Sequence, residues 1–501
     1  MSYQPKVVVI GAGIAGLSAA CKLHESGQVD VCVLEASDRL GGRIHTGKVG
    51  NNPVEFGASW IHGTVGNPIF DLACDLKYLQ KSDVDQQIAW INEDSRAKPK
   101  LDPSQLKQSI DDQILTEVWN VFEKLITETE DITKMKTFCQ GITKDKRTVG
   151  NYITHGFQTY LDSCTSDTAL IKNIKCNLFL FLEERECNSV GCNSLNDLNL
   201  EDFGEYVYLD GSAYCPLPDG YDRITEALAA QLNSGCVHLN HEVTKIHWGA
   251  SSELNDDAEK RNYPVKLHCG NGKTFCADHV IITVSLGVLK EKHTTLFCPS
   301  LPSDKTDAIK NLGFGCVGKI FIEFEKPFWP TDEYSLHLIG NKKKNPKHES
   351  TITICPWAHH LYSMYTTRPG SNVLQVWFQG NESLEIEKTT PQELEKQCLA
   401  AIKECTCLES LPPIVNVEKT QWGTNSWTRG SYTYLSKAAC GSDFDTLASP
   451  LPGESSGCKE ASALQLMFAG EATHRQFYGT VHGASLTGIR EAERLLNHLR
   501  N

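Results

Sequence analysis

Residues 6 to 16 read KVVVIGAGIAG. The β-branched run Val7 to Ile10 predicts a buried strand, and Gly11, Gly13 and Gly16 follow it with the spacing GxGxxG. Apolar periodicity from Ile14 to Leu23 predicts a helix. Strand, glycine turn and helix in that order form a cradle for a pyrophosphate. Gly11 permits the tight turn, Gly13 lets the backbone approach phosphate, and Gly16 lets the helix pack on the strand. Gly11, Gly13, Ala15 and Gly16 are the candidate contacts. A second strand, Val29 to Leu34, ends at Glu35, an acid about 20 residues past the glycines and placed to accept from a ribose hydroxyl. An acid there disfavours a 2′-phosphate. These elements predict an α/β fold with a Rossmann-like dinucleotide-binding domain.

A second glycine-rich loop follows at once: Arg39-Leu40-Gly41-Gly42-Arg43. A nicotinamide dinucleotide has no use for it. FAD does, because its diphosphate and ribityl chain run on beyond the first loop. Gly42 offers bare backbone, and Arg43 offers guanidinium donors.

The chain has 501 residues, too many for one core, and 40% hydrophobic content, so two globular domains are expected. The N-terminal residues lack the basic and apolar regions of a signal peptide. The longest apolar run, Val280 to Leu289, is about half the roughly 20 residues of a membrane helix. A soluble, cytoplasmic protein with no membrane partner is therefore expected; a peroxisomal location stays open, although Leu499-Arg500-Asn501 is not the SKL type of address. The net charge of −14 argues against nucleic acid as a partner. The 20 cysteines are scattered, which suggests reduced thiols. Neither Cys405-Thr406-Cys407 nor the pair Cys187 and Cys192 has a CxxC partner at finger spacing, so no metal is expected.

Further along, residues 104 to 135 carry helical periodicity, and Ile224 to Leu232 reads as a helix. Val237 to Trp248, Val265 to Cys269, Phe275 to Val284 and Lys319 to Phe324 read as strands, and Ala484 to Leu496 as a helix. The polar stretch SSELNDDAEKR reads as a hairpin tip, and the basic run at 342–347 as a solvated loop. The pattern predicts a discontinuous FAD-binding domain from 1–95, 206–290 and 421–501. An interleaved α+β substrate-binding domain takes 96–205 and 291–420.

GAGIAGL with EASDRLGGR, GASWIHG, TVSLGVLK, NLGFGCVGKIFIEFEKPFW, TRGSYTY and GEATHRQFYGTVHGA occur in this order. Together they resemble the flavin amine oxidases, and within them the polyamine oxidases of the animal spermine and N1-acetylpolyamine type. Only residues 90 to 200 match poorly. The resemblance implies oxidation of a polyamine at a secondary amine, by hydride transfer to flavin N5 and reoxidation by oxygen. The products would be a shorter polyamine, an aminoaldehyde and hydrogen peroxide. It places Ser59, Trp60, Val243, Trp422, Glu471, Thr480 and Val481 against the cofactor. Lys319 matches the family lysine that holds a water near the flavin, and His62 the histidine facing substrate. Tyr432 matches one wall of an aromatic cage. Thr480 stands where monoamine oxidases put the opposite tyrosine, which opens space for a long, flexible amine. Ser431 stands where those enzymes carry the tethering cysteine, so noncovalent FAD is expected.

This chain departs from the animal pattern at Gly479, where a serine is usual near the distal substrate group; this leaves spermine against acetylated polyamine open. Glu183 is the first choice for a distal ammonium, among Glu183, Glu184, Glu186, Glu201, Asp202 and Glu205. The competing readings are a monoamine or L-amino-acid oxidase, and a catalytically idle flavoprotein.

Overall fold

The computed structural model describes residues 4–79, 112–249, 263–329, 335–337, 357, 363–368, 370–406, 408, 410–452 and 463–500. The polar hairpin tip and the basic run at 342–347 lie outside the described residues.

The first strand, β1 (Lys6–Ile10), runs into α1 (Ile14–Ser26) and then β2 (Asp30–Leu34). Three later strands join them: β3 (Val237–His238), β4 (His279–Ile282) and β5 (Leu466–Phe468). The sheet is parallel throughout, in the order β5-β4-β1-β2-β3. Both faces are covered, as a parallel sheet requires. Val7, Val9, Val33 and Ile281 enter one core, and Val8, Ile10, Leu34 and Val280 enter the other. Alternation along each strand produces this division. The C-terminal helix α3 (Val481–Arg500) lies on α1, with Ser18 Oγ and Ser485 Oγ 2.8 Å apart. A β-carbon at Gly488 would stand 2.0 Å from the Ala15 carbonyl oxygen, so only glycine allows that approach.

Two long strands expected from sequence are each broken. Val237–His238 belongs to the parallel sheet, while Val243–His247 pairs with Val265–Cys269 in a four-stranded sheet. Between them Asn240 takes a positive φ of 58°, which turns the chain from one sheet to the other. Likewise Thr274–Ala277 and His279–Ile282 flank Asp278, whose carboxylate accepts from the Lys6 backbone N–H at 2.8 Å. A polar side chain at the break ties the second segment to β1. The last helix begins at Val481, three residues before the periodicity becomes clear.

The remaining residues build two further cores. One is helical, from Asp112–Thr129, Val149–Ser163 and α2 (Ala169–Val190). The other packs the helix Pro391–Thr406 on an antiparallel sheet, ordered Ser335–His337, Ser363–Thr366, Val373–Gln379, Val317–Phe324, Ile414–Lys419. No helix among the described residues is long and apolar enough to cross a membrane, and none of their His, Cys, Asp and Glu side chains form a metal-binding group.

Candidate active site

A cavity of about 860 Å³ opens where β1, β2 and β4 end, and extends to the helical domain and the antiparallel sheet. Ile10, Gly11, Leu34, Glu35 and Thr283 line it, all at the carboxyl ends of parallel strands. That edge is where open α/β sheets take ligands.

The cofactor end is built from bare backbone. Gly11 has a φ of +103°, and a β-carbon there would meet Thr283 Oγ1 at 2.6 Å. The two glycine loops meet at Gly13 and Gly41, and the Gly41 N–H donates to the Ala12 carbonyl at 2.9 Å. The Arg39 guanidinium holds the second loop through the carbonyls of Leu40, Gly42 and Ile44, at 3.0, 2.6 and 3.1 Å. The amino end of α1 has no side-chain cap, and Gly13, Ile14 and Ala15 line the cavity. Uncapped N–H groups and the positive helix end suit a diphosphate. Gly16 does not line the cavity. A β-carbon there would stand 1.9 Å from the Gly11 carbonyl oxygen, so its role is helix-on-strand packing. Glu35 Oε2 accepts the Ala12 N–H at 2.7 Å, and Oε1 accepts the Ser37 N–H and hydroxyl at 2.9 and 2.7 Å. Oε2 keeps capacity for a ribose hydroxyl.

Glu471 is buried and ties four elements. Its carboxylate accepts from Arg43 at 2.8 Å, the Thr433 hydroxyl at 3.1 Å, the Thr433 N–H at 3.3 Å and the Gly479 N–H at 2.8 Å. Arg43 also donates to the Ser431 carbonyl at 2.8 Å. Gly42, Ser59, Trp60, Val243, Trp422, Thr480 and Val481 line the same cavity. The residues present fit FAD: paired glycine loops, an uncapped helix, an acid at the end of β2, and a C-terminal segment lining the same cavity.

Lys319 lies on Val317–Phe324 and is 4% exposed. Its ammonium donates to the carbonyls of Glu55 and Gly57 at 2.6 Å each and to Ser59 Oγ at 2.7 Å. It also sits 4.4 Å from the Trp377 ring centroid. Burial pushes its pKa down to about 7, and the Glu55 charge opposes that shift. The three acceptors also oppose it, because only the ammonium has three protons to give.

Around the lysine stand aromatic walls. Trp60 stacks on Trp377 at 5.3 Å and meets the Tyr214 edge at 5.3 Å. His62 Nδ1 lies 2.9 Å from the Ala213 carbonyl. A carbonyl only accepts, so Nδ1 carries the proton and Nε2 remains an acceptor. Burial lowers the His62 pKa, which keeps the ring neutral at pH 7. Tyr432 is pinned by its hydroxyl to the carbonyls of Asn188 and Ser189 at 3.0 and 3.2 Å. The Thr480 hydroxyl donates to the Phe477 carbonyl at 2.7 Å and accepts the Gly483 N–H at 3.0 Å. It therefore caps α3 and presents mainly its methyl. Gly479 has a φ of +73°, and a β-carbon there would stand 3.6 Å from Tyr432 Cδ2.

Beyond the cage the cavity continues to Trp119, Glu130, Arg185, Glu186, Tyr206 and Tyr208. Glu183, the first choice from sequence, does not line it. Both acids lie on α2, but residues three apart point about 60° from each other, and the turn carrying Glu186 faces the cavity. Glu130, just past the helix Asp112–Thr129, was missed. Burial and the neighbouring Glu186 and Glu123 charges raise its pKa; burial and Glu123 raise that of Glu186, with Arg185 opposing. Arg185 itself pairs with Glu123 at 2.9 Å and lies over Trp119 at 4.3 Å.

Arg39, Glu55, Trp377 and Tyr214 were also missed. Arg39 stood in the quoted loop. Trp377 carries no local signal, because its place depends on pairing with Lys319 across the sheet.

A family model described as flavin containing amine oxidoreductase matches residues 14–496. A peroxisomal N1-acetyl-spermine/spermidine oxidase of Homo sapiens is 34% identical, over 98% of this chain and 95% of its own. A probable polyamine oxidase of Arabidopsis thaliana is 32% identical, over 100% of this chain and 99% of its own. Among solved structures, a cyclohexylamine oxidase from Brevibacterium oxydans superposes with a TM-score of 0.65 at 18% identity, covering 100% of both chains. At that identity the likeness concerns the fold.

Proposed function

The chain belongs to the flavin-containing amine oxidoreductases and is an FAD-dependent amine oxidase, and on that premise we propose that its substrates are polyamines, oxidised at a secondary nitrogen. One observation carries this reading. The cavity does not end at the aromatic cage but continues to two carboxylates, Glu130 and Glu186, with Tyr206, Tyr208 and Trp119 beside them. Among the described residues neither carboxylate forms an ion pair. Partly buried carboxylates with raised pKa values favour a cationic ligand. The last turn of Asp112–Thr129 adds the negative end of a helix dipole. A monoamine has nothing to place there. A polyamine has a second ammonium.

Bound FAD supplies the two-electron acceptor for the carbon next to nitrogen, and oxygen restores it with release of peroxide. The protein has the remaining tasks. Gly11, Gly13, Ala15, Glu35, Gly42, Arg43, Ser59, Trp60, Val243, Trp422, Glu471, Thr480 and Val481 would hold the cofactor, with Gly16 setting the helix. Ser431 offers no thiolate for a tether, so the cofactor is noncovalent. Tyr432, Trp60 and Trp377 exclude water from the reacting carbon, and the methyl of Thr480 leaves room for an extended chain. A dry, aromatic site favours the neutral amine, which must lose its proton before oxidation. His62 Nε2 accepts an amine N–H, and Lys319 is a proton-bearing amine beside the same wall. Gly479 leaves space by Tyr432 for a distal substituent.

We assign the parallel-sheet body to the cofactor, and the helical and antiparallel bodies to the substrate. We place the protein in the cytoplasm, although the human relative is peroxisomal by name.

Anaerobic absorbance of the bound flavin, with spermine, N1-acetylspermine, spermidine and benzylamine added separately, tests the reading. Rapid bleaching by one of the first three supports it and ranks the acetyl preference. Bleaching by benzylamine alone moves the chain to the monoamine branch. An unbleached flavin in all four sinks amine oxidation of this class.

A further inference from the structure

Helix α2 ends in a left-handed glycine, Gly191, with a φ of 82°. The Gly191 and Cys192 N–H groups both donate to the Cys187 carbonyl, at 2.8 and 3.1 Å. These are the 6→1 bond of a Schellman cap and the 5→1 bond of an αL cap on one carbonyl, and they fold the chain back so that the residue three before Val190 and the residue two beyond it come together. That contact is usually apolar. Here the two residues are Cys187 and Cys192, 5% and 1% exposed. The cap therefore sets the Cys187 and Cys192 side chains against each other. Residues joined by one main-chain hydrogen bond lie near the Cα separation a disulfide spans, about 4.4–6.8 Å.

The pair stands directly behind the substrate wall. Asn188, Ser189 and Val190, between the two cysteines, line the cavity. The carbonyls of Asn188 and Ser189 hold the Tyr432 hydroxyl. The Tyr432 ring fills the space where a Gly191 side chain would be, since a β-carbon there would lie 2.8 Å from its Cε2.

We propose that Cys187 and Cys192 are a modification site: a dithiol that hydrogen peroxide closes to an intrachain disulfide, stapling the end of α2 beneath Tyr432. The source of peroxide rests on the oxidase reading above; the chemistry of the pair does not. Cys192 is the attacking sulfur, because its neighbour Cys187 is held in the thiol form. Its sulfur bonds to one peroxide oxygen as the O–O bond breaks. The other oxygen leaves as hydroxide and takes the Cys192 proton, giving a sulfenic acid and water. Cys187 sulfur then attacks Cys192 sulfur, the S–O bond breaks, and hydroxide leaves with the Cys187 proton as a second water. Two thiols supply two electrons, and one peroxide is reduced to two waters. The Cys192 sulfur and burial hold the Cys187 thiol well above its ordinary range, so Cys187 keeps its proton until the second step.

The test is peptide mapping of the FAD-loaded protein after added hydrogen peroxide, unfolding in iodoacetamide and trypsin digestion without reductant. Peptide 186–223 contains Cys187, Cys192 and Cys215, so Cys215 is an internal reference. The expected product is that peptide labelled at Cys215 alone and two mass units lighter than the mass calculated for the same Cys215-labelled peptide with Cys187 and Cys192 as free thiols. Cys192→Ser must abolish the mass loss. Full labelling of Cys187 and Cys192, at a peroxide dose that forms sulfenic acid in Cys187→Ser, overturns the proposal. So does pairing of either cysteine with a different partner. A second arm replaces added peroxide by aerobic turnover of spermine, with and without catalase. A pair that closes with added peroxide but not in that arm counts against the oxidase reading and leaves the dithiol assignment in place.

Discussion

Lys319 and Trp377 face each other in antiparallel register, and the lysine ammonium sits 4.4 Å from the indole centroid. Adjacent strands thus supply the amine and an aromatic face for it. Such a contact contributes more once desolvated, roughly 2 kcal/mol. Together with three hydrogen bonds it holds a cation at a depth where burial alone would strip the proton. The same wall continues to Trp60, so the lysine is fixed relative to the cage.

Replacing Lys319 by Met should therefore do more than remove a charge. At least one half-reaction, flavin reduction by amine or reoxidation by oxygen, should slow by about tenfold or more, a floor set below the roughly 10²–10⁴-fold typical of a positioned proton donor. Burial places the lysine pKa at about 7. The ammonium prevails below that pH and the amine above it. A pH profile of the affected step should bend near neutrality in the native enzyme and lose that bend in Lys319→Met. If both half-reactions keep their native rates, Lys319 has no part in the mechanism.

His62 titrates on the other side of the argument. Its pKa is lowered by burial, so its Nε2 lone pair is present at pH 7 and disappears as the pH falls below the ordinary histidine range near 6.5. For the native enzyme kcat/KM should drop on the acid side. His62→Gln should lose that limb and fall about tenfold, an order expected for one hydrogen bond of about 1.4 kcal/mol. A mutant profile that overlays the native one assigns His62 to structure, as a bond to Ala213 alone would.

The cofactor end was legible because its signals are local. GxGxxG, the strand before it and Glu35 lie within one βαβ unit, and the backbone follows the expected turns. The substrate end was much less so. Trp377 meets Lys319 only through strand pairing, and Glu130 meets Glu186 only through helix packing. Neither relation leaves a spacing in the chain. Glu183 and Glu186 differ by one helical step, and a run of acids does not say which turn faces inward. The broken strands failed for a related reason. Val237–Trp248 keeps a strand-like composition across Asn240, yet the chain changes sheets there.

Ser431 makes a prediction about the cofactor linkage. Its hydroxyl accepts the Val317 N–H at 2.8 Å and donates to the Val317 carbonyl at 2.9 Å. It ties the bend before Tyr432 to the start of the strand Val317–Phe324 and presents no nucleophilic sulfur. Acid precipitation should leave all the flavin in the supernatant. Yellow colour retained in the washed pellet would establish a covalent bond from some other side chain and overturn the noncovalent assignment.

The acidic arm gives the sharpest separation between substrate classes. Glu186→Gln removes one charge from the pair with Glu130 while keeping the shape of the side chain. The distal ammonium of spermine should lose one partner, and KM should rise about tenfold, which corresponds to about 1.4 kcal/mol. The maximal rate should stay within about twofold, because the lost contact is made equally before and during reaction. Glu130→Gln should behave alike, and the double variant should lose more than the product of the two. The Glu186 charge raises the cost of ionising Glu130, so in Glu186→Gln the remaining acid ionises more readily and partly compensates, which the double variant cannot do. A monoamine that reaches only the cage should show the same KM in all four proteins. Equal losses for spermine and the monoamine would mean that the two acids support the fold of the cavity and do not read the far end of the substrate.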